Sequence, residues 1–251
     1  MEKPSTTAQR VASYRLRFER VAAPYGDPSS DDRLARDVAG NEPFEPSPGM
    51  DRYLRARTAF FDRVVVGAIA RGVTQLVSIG AGYDGRSLRY HAPGVRWFDV
   101  DHPSTSTDKA ERLERLGIAT GGTAFIRHDL ADEGLAVALE AAGYEPGVPG
   151  QFLCEGVAVY LEPRVFELVL RDVRSIASPG SGLAVSLSVQ GADPEDRARF
   201  RRVVAGLGEP VRSAPLTPAE EDALLEATGW RRDPASGPAR RAGLTQLSPA
   251  A

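Results

Sequence analysis

The sequence predicts an α/β fold in which a mostly parallel sheet carries helices on both faces and a helical region precedes it. From about residue 75 onward, short apolar runs alternate with longer stretches of helical periodicity. That alternation is typical of parallel sheets whose strands are connected by helices. The 251 residues suffice for one such domain with appended elements. We expect a helical lid or substrate region over residues 1–50 and the sheet domain over residues 51–251.

The first 70 residues are predicted to be helical with interruptions. Helices are expected over 11–21, 31–39 and 51–70, and the third has apolar residues at helical spacing. Proline and glycine over 24–28 separate the first two helices, and a proline-rich loop over 41–49 precedes the third.

Five buried strands are predicted in the following sequence, each bounded by turn residues or by a helical stretch. The strands are expected over 75–79, 95–100, 124–127, 151–154 and 182–189. The helices between them are expected over 86–90, 103–116, 133–142 and 163–177. The tail adds a helix over 218–228 and two segments, 230–232 and 243–247, that suit two more strands.

The composition excludes several classes of protein. The net charge of −3 gives no reason to expect a nucleic-acid partner, and the single Cys excludes a disulfide framework and a multi-cysteine metal site. No apolar run is long enough to span a membrane, and the first residues do not form a secretory signal. We therefore expect a cytoplasmic protein without a bound metal, either monomeric or homodimeric.

A glycine turn follows the first predicted strand, in the segment V-S-I-G-A-G-Y-D-G-R-S over 77–87. Gly80, Ala81 and Gly82 would let the backbone pass under a bulky ligand, because glycine has no Cβ and tolerates positive φ. Residues 80–85 also fit the dinucleotide pattern G-x-G-x-x-G, so the turn by itself does not separate NAD from S-adenosyl-L-methionine. The alternative is a tight strand-to-helix turn that binds no ligand.

Acidic residues follow three of the predicted strands, at the edge where open α/β sheets bind ligands. Asp99 and Asp101 end the second strand and share a face, where a carboxylate can accept the ribose hydroxyls of an adenosine. Asp129 follows the third strand, at a position that suits the adenine amino group. Glu155 follows the fourth, where it can hold a cationic part of a ligand. For Asp101 and Asp129, a helix cap or turn carboxylate is the alternative.

Seven short segments together resemble the leucine carboxyl methyltransferase family, in particular its bacterial branch of small-molecule methyltransferases. Their order and spacing, from about residue 50 to the end of the chain, are more specific than any one of them. The segments are R-A-R-T at 55–58, L-V-S-I-G-A-G-Y-D-G-R-S-L-R at 76–89, W-F-D-V-D-H-P at 97–103 (with Lys109 after it), H-D-L at 128–130, C-E-G-V-A-V-Y-L at 154–161, T-G-W at 228–230 and R-A-G-L at 241–244.

The resemblance implies a class I methyltransferase with a Rossmann-like sheet, an N-terminal helical cap and S-adenosyl-L-methionine as cofactor. It implies that Arg57 holds the methionine end and that the other cofactor residues are Gly80, Asp101, Asp129, Leu130 and Glu155. A basic residue of the family's N-terminal helix matches Arg17 loosely. The sequence departs from the family at Asp99, where Glu is usual, and at Gly85, where Thr is frequent. The first 50 residues match poorly, which leaves the acceptor open.

The resemblance also implies O-methylation of a small-molecule or peptide acceptor. We favour a carboxylate, which is already ionised at neutral pH, whereas a phenol or hydroxyl would benefit from a general base. Candidates for contacts with the acceptor are Arg17, Tyr25 and Tyr160, although Tyr160 could equally belong to the core. The competing hypotheses are an NAD-dependent oxidoreductase and a nucleoside-binding protein without catalytic activity.

Overall fold

A mostly parallel sheet of seven strands runs through the described part of the computed structural model, which covers residues 3–40, 46–187, 194–233 and 243–250. The strand order is β3-β2-β1-β4-β5-β7-β6, and β7 runs antiparallel to both of its neighbours. The strands are β1 Gln75–Ile79, β2 Arg96–Asp101, β3 Ala124–Arg127, β4 Gly150–Cys154, β5 Gly182–Ser186, β6 Trp230–Arg232 and β7 Leu244–Pro249.

Helices connect the strands and precede the sheet. Several begin with proline, whose fixed φ suits the first helical position. They are α1 Thr6–Arg15, α2 Pro28–Ala39, α3 Pro48–Ala70, α4 Arg86–Arg89, α5 Pro103–Arg115, α6 Leu135–Ala141, α7 Pro163–Ile176, α8 Pro194–Gly206 and α9 Pro218–Thr228, with a short 3₁₀ helix at Ala158–Tyr160.

The core has one apolar layer on each face of the sheet, because successive strand residues point to opposite faces. On one face Val77 and Phe152 pack in the same cluster as Val173 of α7. On the other, Leu76 and Trp97 pack with α3. Both faces of β1 are therefore covered, and every residue of this strand is buried.

The predicted α/β class with a mostly parallel sheet and helices on both faces is confirmed, and the strand positions agree to within a few residues. The first helix is wrong in position: it begins at Thr6 instead of residue 11 and ends at Arg15. Ser5 explains this start, because its side chain accepts the N–H of Ala8 and caps the helix.

Several other expectations differ from the structure or fall beyond it. Helix α8 and the 3₁₀ helix were not predicted. Residues 41–45 of the expected loop and 188–189 of the expected fifth strand lie outside the described residues. The proposed boundary at residue 50 falls inside α3, and the division into two regions stays a prediction. Across the described ranges, no helix is both long and apolar enough to cross a membrane.

Candidate functional site

The glycine turn after β1 has a backbone that requires glycine at two positions. Gly80 and Gly82 have φ of +65° and +50°, a region that residues with side chains rarely adopt. A Cβ on Gly80 would overlap the side chain of Val157, and a Cβ on Gly82 would lie 2.9 Å from that of Ala8. Ala81 between them donates its N–H to Val100 O at 2.9 Å. The turn is thus packed between α1 and the segment that follows β4.

Gly85, the third glycine of the dinucleotide pattern, has a different explanation. Its φ of −100° is accessible to any residue, but a Cβ there would overlap the carboxylate of Asp31 in α2. Packing of α2 therefore accounts for this glycine, and a pyrophosphate group is not needed to explain it. Gly85 therefore no longer favours NAD over S-adenosyl-L-methionine as the ligand of this turn.

The two acids of β2 have different surroundings. Asp99 is 3% exposed and accepts hydrogen bonds from Lys109 Nζ at 2.7 Å and Ser87 Oγ at 3.2 Å. Asp101 is only partly buried and accepts the backbone N–H groups of Gly82 at 2.6 Å and His102 at 2.8 Å. Burial raises the pKa of both carboxyl groups above the usual value. Asp101 thus borders the glycine turn at the open edge of the sheet, whereas Asp99 is enclosed beneath it.

Asp129 lies beside Asp101 at the same edge, after β3. Its Oδ1 accepts the N–H of Ala131 at 2.9 Å, and its Oδ2 lies 3.8 Å from His102 Nε2. The side chain of Asp129 is 43% exposed, so it has room for a further partner. Leu130 is partly buried and packs against the apolar core.

Glu155 lies at the centre of a buried group of charges after β4, which we call the arginine cluster: Arg15, Arg57, Arg86, Asp84 and Glu155. Its Oε1 lies 2.9 Å from Arg57 Nε and 3.0 Å from Arg15 Nη2, and its Oε2 accepts Arg86 Nη1 at 2.6 Å. Arg86 also binds Asp84, and Arg15 Nη2 lies 3.5 Å from the Asp84 carboxylate. The cluster joins α1, α3, the glycine turn and the end of β4.

The charges of the cluster keep its carboxyl groups ionised. Burial alone would raise the pKa of Glu155, but Arg15, Arg86 and Arg57 outweigh it and hold this pKa well below its usual value. The pKa of Asp84 is lowered against burial by Arg15 and Arg86. Neither carboxylate is a general base at neutral pH.

The sequence did not identify Arg86 as part of the site. Arg86 is fully buried, and the sequence signal for it was a basic residue directly after the glycine turn. Arg17, the expected basic residue of the first helix, is instead half exposed, with its Nε 3.7 Å from Asp51. The side chain that reaches Glu155 from α1 belongs to Arg15.

The two tyrosine candidates lie in different places. Tyr160 is in the 3₁₀ helix after Glu155, where burial raises its pKa to about 12 and the charge of Arg57 acts on it. Tyr25 packs against the apolar layer beneath α3. The structure therefore brings Tyr160 to the arginine cluster but not Tyr25.

Helix α1 covers the glycine turn and is fixed at its start. Glu209, in the segment after α8, accepts the N–H groups of Thr6 at 2.7 Å and Thr7 at 3.1 Å. It also accepts the hydroxyl of Ser5 at 2.9 Å, and Ser5 N–H donates to Thr105 at 3.1 Å. Contacts from distant parts of the chain thus hold the helix across the edge of the sheet.

Two further kinds of site find no support in the described residues. They contain no group of three or more side chains suited to hold a metal ion. Cys154 is buried, and burial raises the pKa of its thiol to about 12, so its nucleophilic thiolate is scarce at neutral pH.

Comparison with known proteins agrees with the geometry. The model of the leucine carboxyl methyltransferase family matches residues 14–174. A protein of Mycobacterium sp. (strain JLS) named "Putative S-adenosyl-L-methionine-dependent methyltransferase" is 33% identical over 231 residues, which cover 86% of this chain and 72% of the relative.

Solved structures share the fold at low sequence identity. A DUF574 family protein from Streptomyces avermitilis is 18% identical with a TM-score of 0.63, over 99% of this chain and 98% of the other. A magnesium protoporphyrin IX methyltransferase from Synechocystis, solved with bound S-adenosylhomocysteine, is 15% identical with a TM-score of 0.54, over 87% and 93% of the two chains.

These matches confirm the predicted class I methyltransferase fold, the S-adenosyl-L-methionine cofactor and the assignment as an enzyme. The rival assignment to the NAD-dependent oxidoreductases is not supported. The chain belongs to the leucine carboxyl methyltransferase family and is an S-adenosyl-L-methionine-dependent methyltransferase.

Proposed function

We propose that the enzyme is an O-methyltransferase that methylates a carboxylate of a small-molecule or peptide acceptor in bacterial metabolism. The observation that carries this proposal is the arginine cluster, whose carboxylates are held ionised beside buried arginines. Arg86 also lies 2.7 Å from the buried carboxylate of Asp62, so the arginine charges of the cluster are balanced by carboxylates. The cluster itself therefore offers no general base, and an acceptor that is already ionised needs none.

The residues at the sheet edge fit the cofactor. Arg15 Nε is a buried donor without a hydrogen-bond partner, next to carboxylates that suit an ammonium group. We assign the turn Gly80–Ala81–Gly82 and Asp101 to the ribose side, Asp129 and Leu130 to the adenine, and Arg57 and Glu155 to the methionine end. When bound, the cofactor supplies an electrophilic methyl group on a sulfonium. Asp99 is not in this set, because Lys109 and Ser87 enclose it.

The protein's own contribution to the reaction is alignment and exclusion of water. Holding two reactants in line supplies up to about 7–11 kcal/mol of the barrier. A carboxylate acceptor with a pKa near ~4 needs no proton removed at neutral pH, whereas a phenol with a pKa near ~10 does. Among the described residues of the cluster, the carboxyl pKa values are lowered, and the neighbouring Tyr160 has its pKa raised to about 12. A carboxylate with a lowered pKa is a weak base, and a tyrosine with a raised pKa stays protonated at neutral pH. Neither kind of group is suited to take the proton of a phenol.

The test is a panel of carboxylic acids, short peptides and phenols, each incubated with the enzyme and cofactor labelled in the methyl group. We expect label in carboxylic acids, as methyl esters that release labelled methanol in mild alkali. We also expect a rate nearly independent of pH from ~6 to ~9, since the acceptor stays ionised throughout. Alkali-stable ethers formed only from phenols, at a rate that rises with pH, would contradict the proposal.

Arg57 can be tested within the same panel. Arg57→Lys keeps the charge but loses the planar fork that faces Glu155, so we expect weaker cofactor binding with the same preference among acceptors. Arg55→Lys, on the same helix with a half-exposed side chain, is the matched control and should behave as the parent. A cytoplasmic location and an acceptor other than nucleic acid stay predictions.

A further inference from the structure

Lys109 is a buried amine beside the glycine turn, in a chain whose basic residues are nearly all arginines. Only Lys3 and Lys109 among the 31 basic side chains are lysines, and Lys109 is 1% exposed. We propose that Lys109, together with Asp99, is a positioning residue that fixes the glycine turn in the conformation that binds S-adenosyl-L-methionine. The proposal rests on cofactor binding at this turn.

The contacts of Lys109 connect α5 to the turn. Its Nζ donates to the main-chain oxygen of Asp84 at 2.6 Å and to Asp99 Oδ2 at 2.7 Å. The ammonium also lies 5.9 Å from the centre of the Phe125 ring. Two oxygen acceptors and one aromatic face thus surround a single nitrogen.

An ammonium suits this position better than a guanidinium does. It concentrates its donors on one atom, whereas a guanidinium spreads five donors over a planar fork that needs more space. Here the single nitrogen of Lys109 reaches both oxygen acceptors, at 2.6 and 2.7 Å. The position therefore accounts for a lysine in an arginine-rich chain.

Asp84 is held from two sides. Lys109 binds its main-chain oxygen, while its Oδ1 accepts the N–H of Arg86 at 3.0 Å and its Oδ2 binds the Arg86 side chain. Gly82, two residues earlier, donates its N–H to Asp101. Movement of Asp84 would therefore change the position of the turn relative to the carboxylate that we assign to the ribose.

The two acids of β2 then have separate tasks. Asp101, partly exposed at the edge, contacts the cofactor, whereas Asp99 acts through Lys109. In this assignment Asp99 provides the counter-charge for an ammonium that is fully enclosed. The two assignments of Asp99, direct contact with the ribose and support of Lys109, predict different results for variants.

The experiment measures S-adenosylhomocysteine binding by isothermal titration for four variants: Lys109→Met, Asp99→Asn, the double variant and Lys3→Met. Thermal unfolding of each is recorded in parallel. Lys3 is exposed, so Lys3→Met is the matched lysine control and should bind as the parent. If the single variants do not fold, the double variant keeps the test decisive, because it removes the buried charges together.

We expect Lys109→Met and Asp99→Asn each to weaken binding by about tenfold or more, with the double variant within about threefold of Lys109→Met, since coupled residues are not additive. The stoichiometry should stay near one site per chain. A role in folding alone would instead lower the fraction of binding-competent protein and leave the dissociation constant unchanged.

Two outcomes would overturn the proposal. In the first, a folded Lys109→Met or double variant binds with the parent's dissociation constant. In the second, Asp99→Asn weakens binding whereas a folded Lys109→Met does not, which would place Asp99 in contact with the cofactor. Failure of the parent to bind S-adenosylhomocysteine would count against cofactor binding at the turn itself, whereas the choice of acceptor is decided separately by the methyl-ester assay.

Discussion

Replacing Glu155 by glutamine should destabilise the protein more than most single substitutions do. Glu155 is 7% exposed in its side chain and accepts hydrogen bonds or ion pairs from three arginines. The substitution preserves the shape, removes the negative charge and directs an amide NH₂ towards guanidinium donors. Breaking a buried ion pair from one side costs about 3–5 kcal/mol, because the remaining charge is left without compensation.

This free-energy cost should lower the melting temperature, Tm, by a measurable amount. For a domain of this size, 1 kcal/mol lowers Tm by about 2–4 °C. Glu155→Gln should therefore lower Tm by roughly 6–20 °C in differential scanning calorimetry. Binding of S-adenosylhomocysteine should weaken about 10- to 150-fold, as expected for loss of a charged hydrogen bond to its ammonium.

The control is Glu145→Gln, because Glu145 is 67% exposed and lies 3.6 Å from Arg96 at the surface. Its loss should cost less than about 1 kcal/mol. The double variant Arg15→Gln, Glu155→Gln should recover part of the stability lost in Glu155→Gln, since it removes one uncompensated arginine. A Glu155→Gln protein with the melting temperature and ligand affinity of the parent would refute the charge balance described above.

Three further predictions concern the turn and its edge. Asp101→Ala should weaken S-adenosylhomocysteine binding by about 1–3 kcal/mol in titration calorimetry; unchanged affinity in a folded variant would remove Asp101 from the ribose site. Since burial raises the pKa of Asp101, affinity should fall on acidification at a pH above the ~4 of an ordinary aspartate, and Asp101→Ala should lack this dependence. Gly85→Ala should lower thermal stability by about 1–3 kcal/mol through overlap with Asp31, whereas Gly147→Ala, with open space around it, should not; equal melting temperatures would contradict this.

The sheet could be predicted from the sequence because its strands are short, apolar and buried on both faces. A run such as 75–79 is followed directly by glycine, so its type and boundary are both encoded locally. The start of α1 was harder to predict from the sequence, because part of its capping comes from Glu209, 203 residues away from Thr6. Local periodicity around Val11 and Phe18 indicated a helix but not where it begins.

The acids of the candidate site could be predicted by position, because carboxyl ends of parallel strands meet at one edge. The residues that pair with these acids could not be predicted in this way. Whether Asp99 or Asp101 is the accessible carboxylate depends on Lys109, which reaches β2 from the next helix. Arg15 and Glu155 are far apart in sequence, and only packing of α1 across the edge brings them together. The same packing of the N-terminal helices explains Gly85, which the sequence pattern alone associates with a dinucleotide.

The attachment of α1 to Glu209 has a consequence for biosynthesis. Glu209, which accepts the first N–H groups of α1, is translated long after this helix, because it lies 203 positions after Thr6. Strands β1 to β5 precede Glu209 in the chain, so the sheet edge can form before the start of α1 has its contacts with Glu209. Contacts of such sequence separation are slow to form. We therefore expect the first turn of α1 to become fixed later than the sheet edge that it covers.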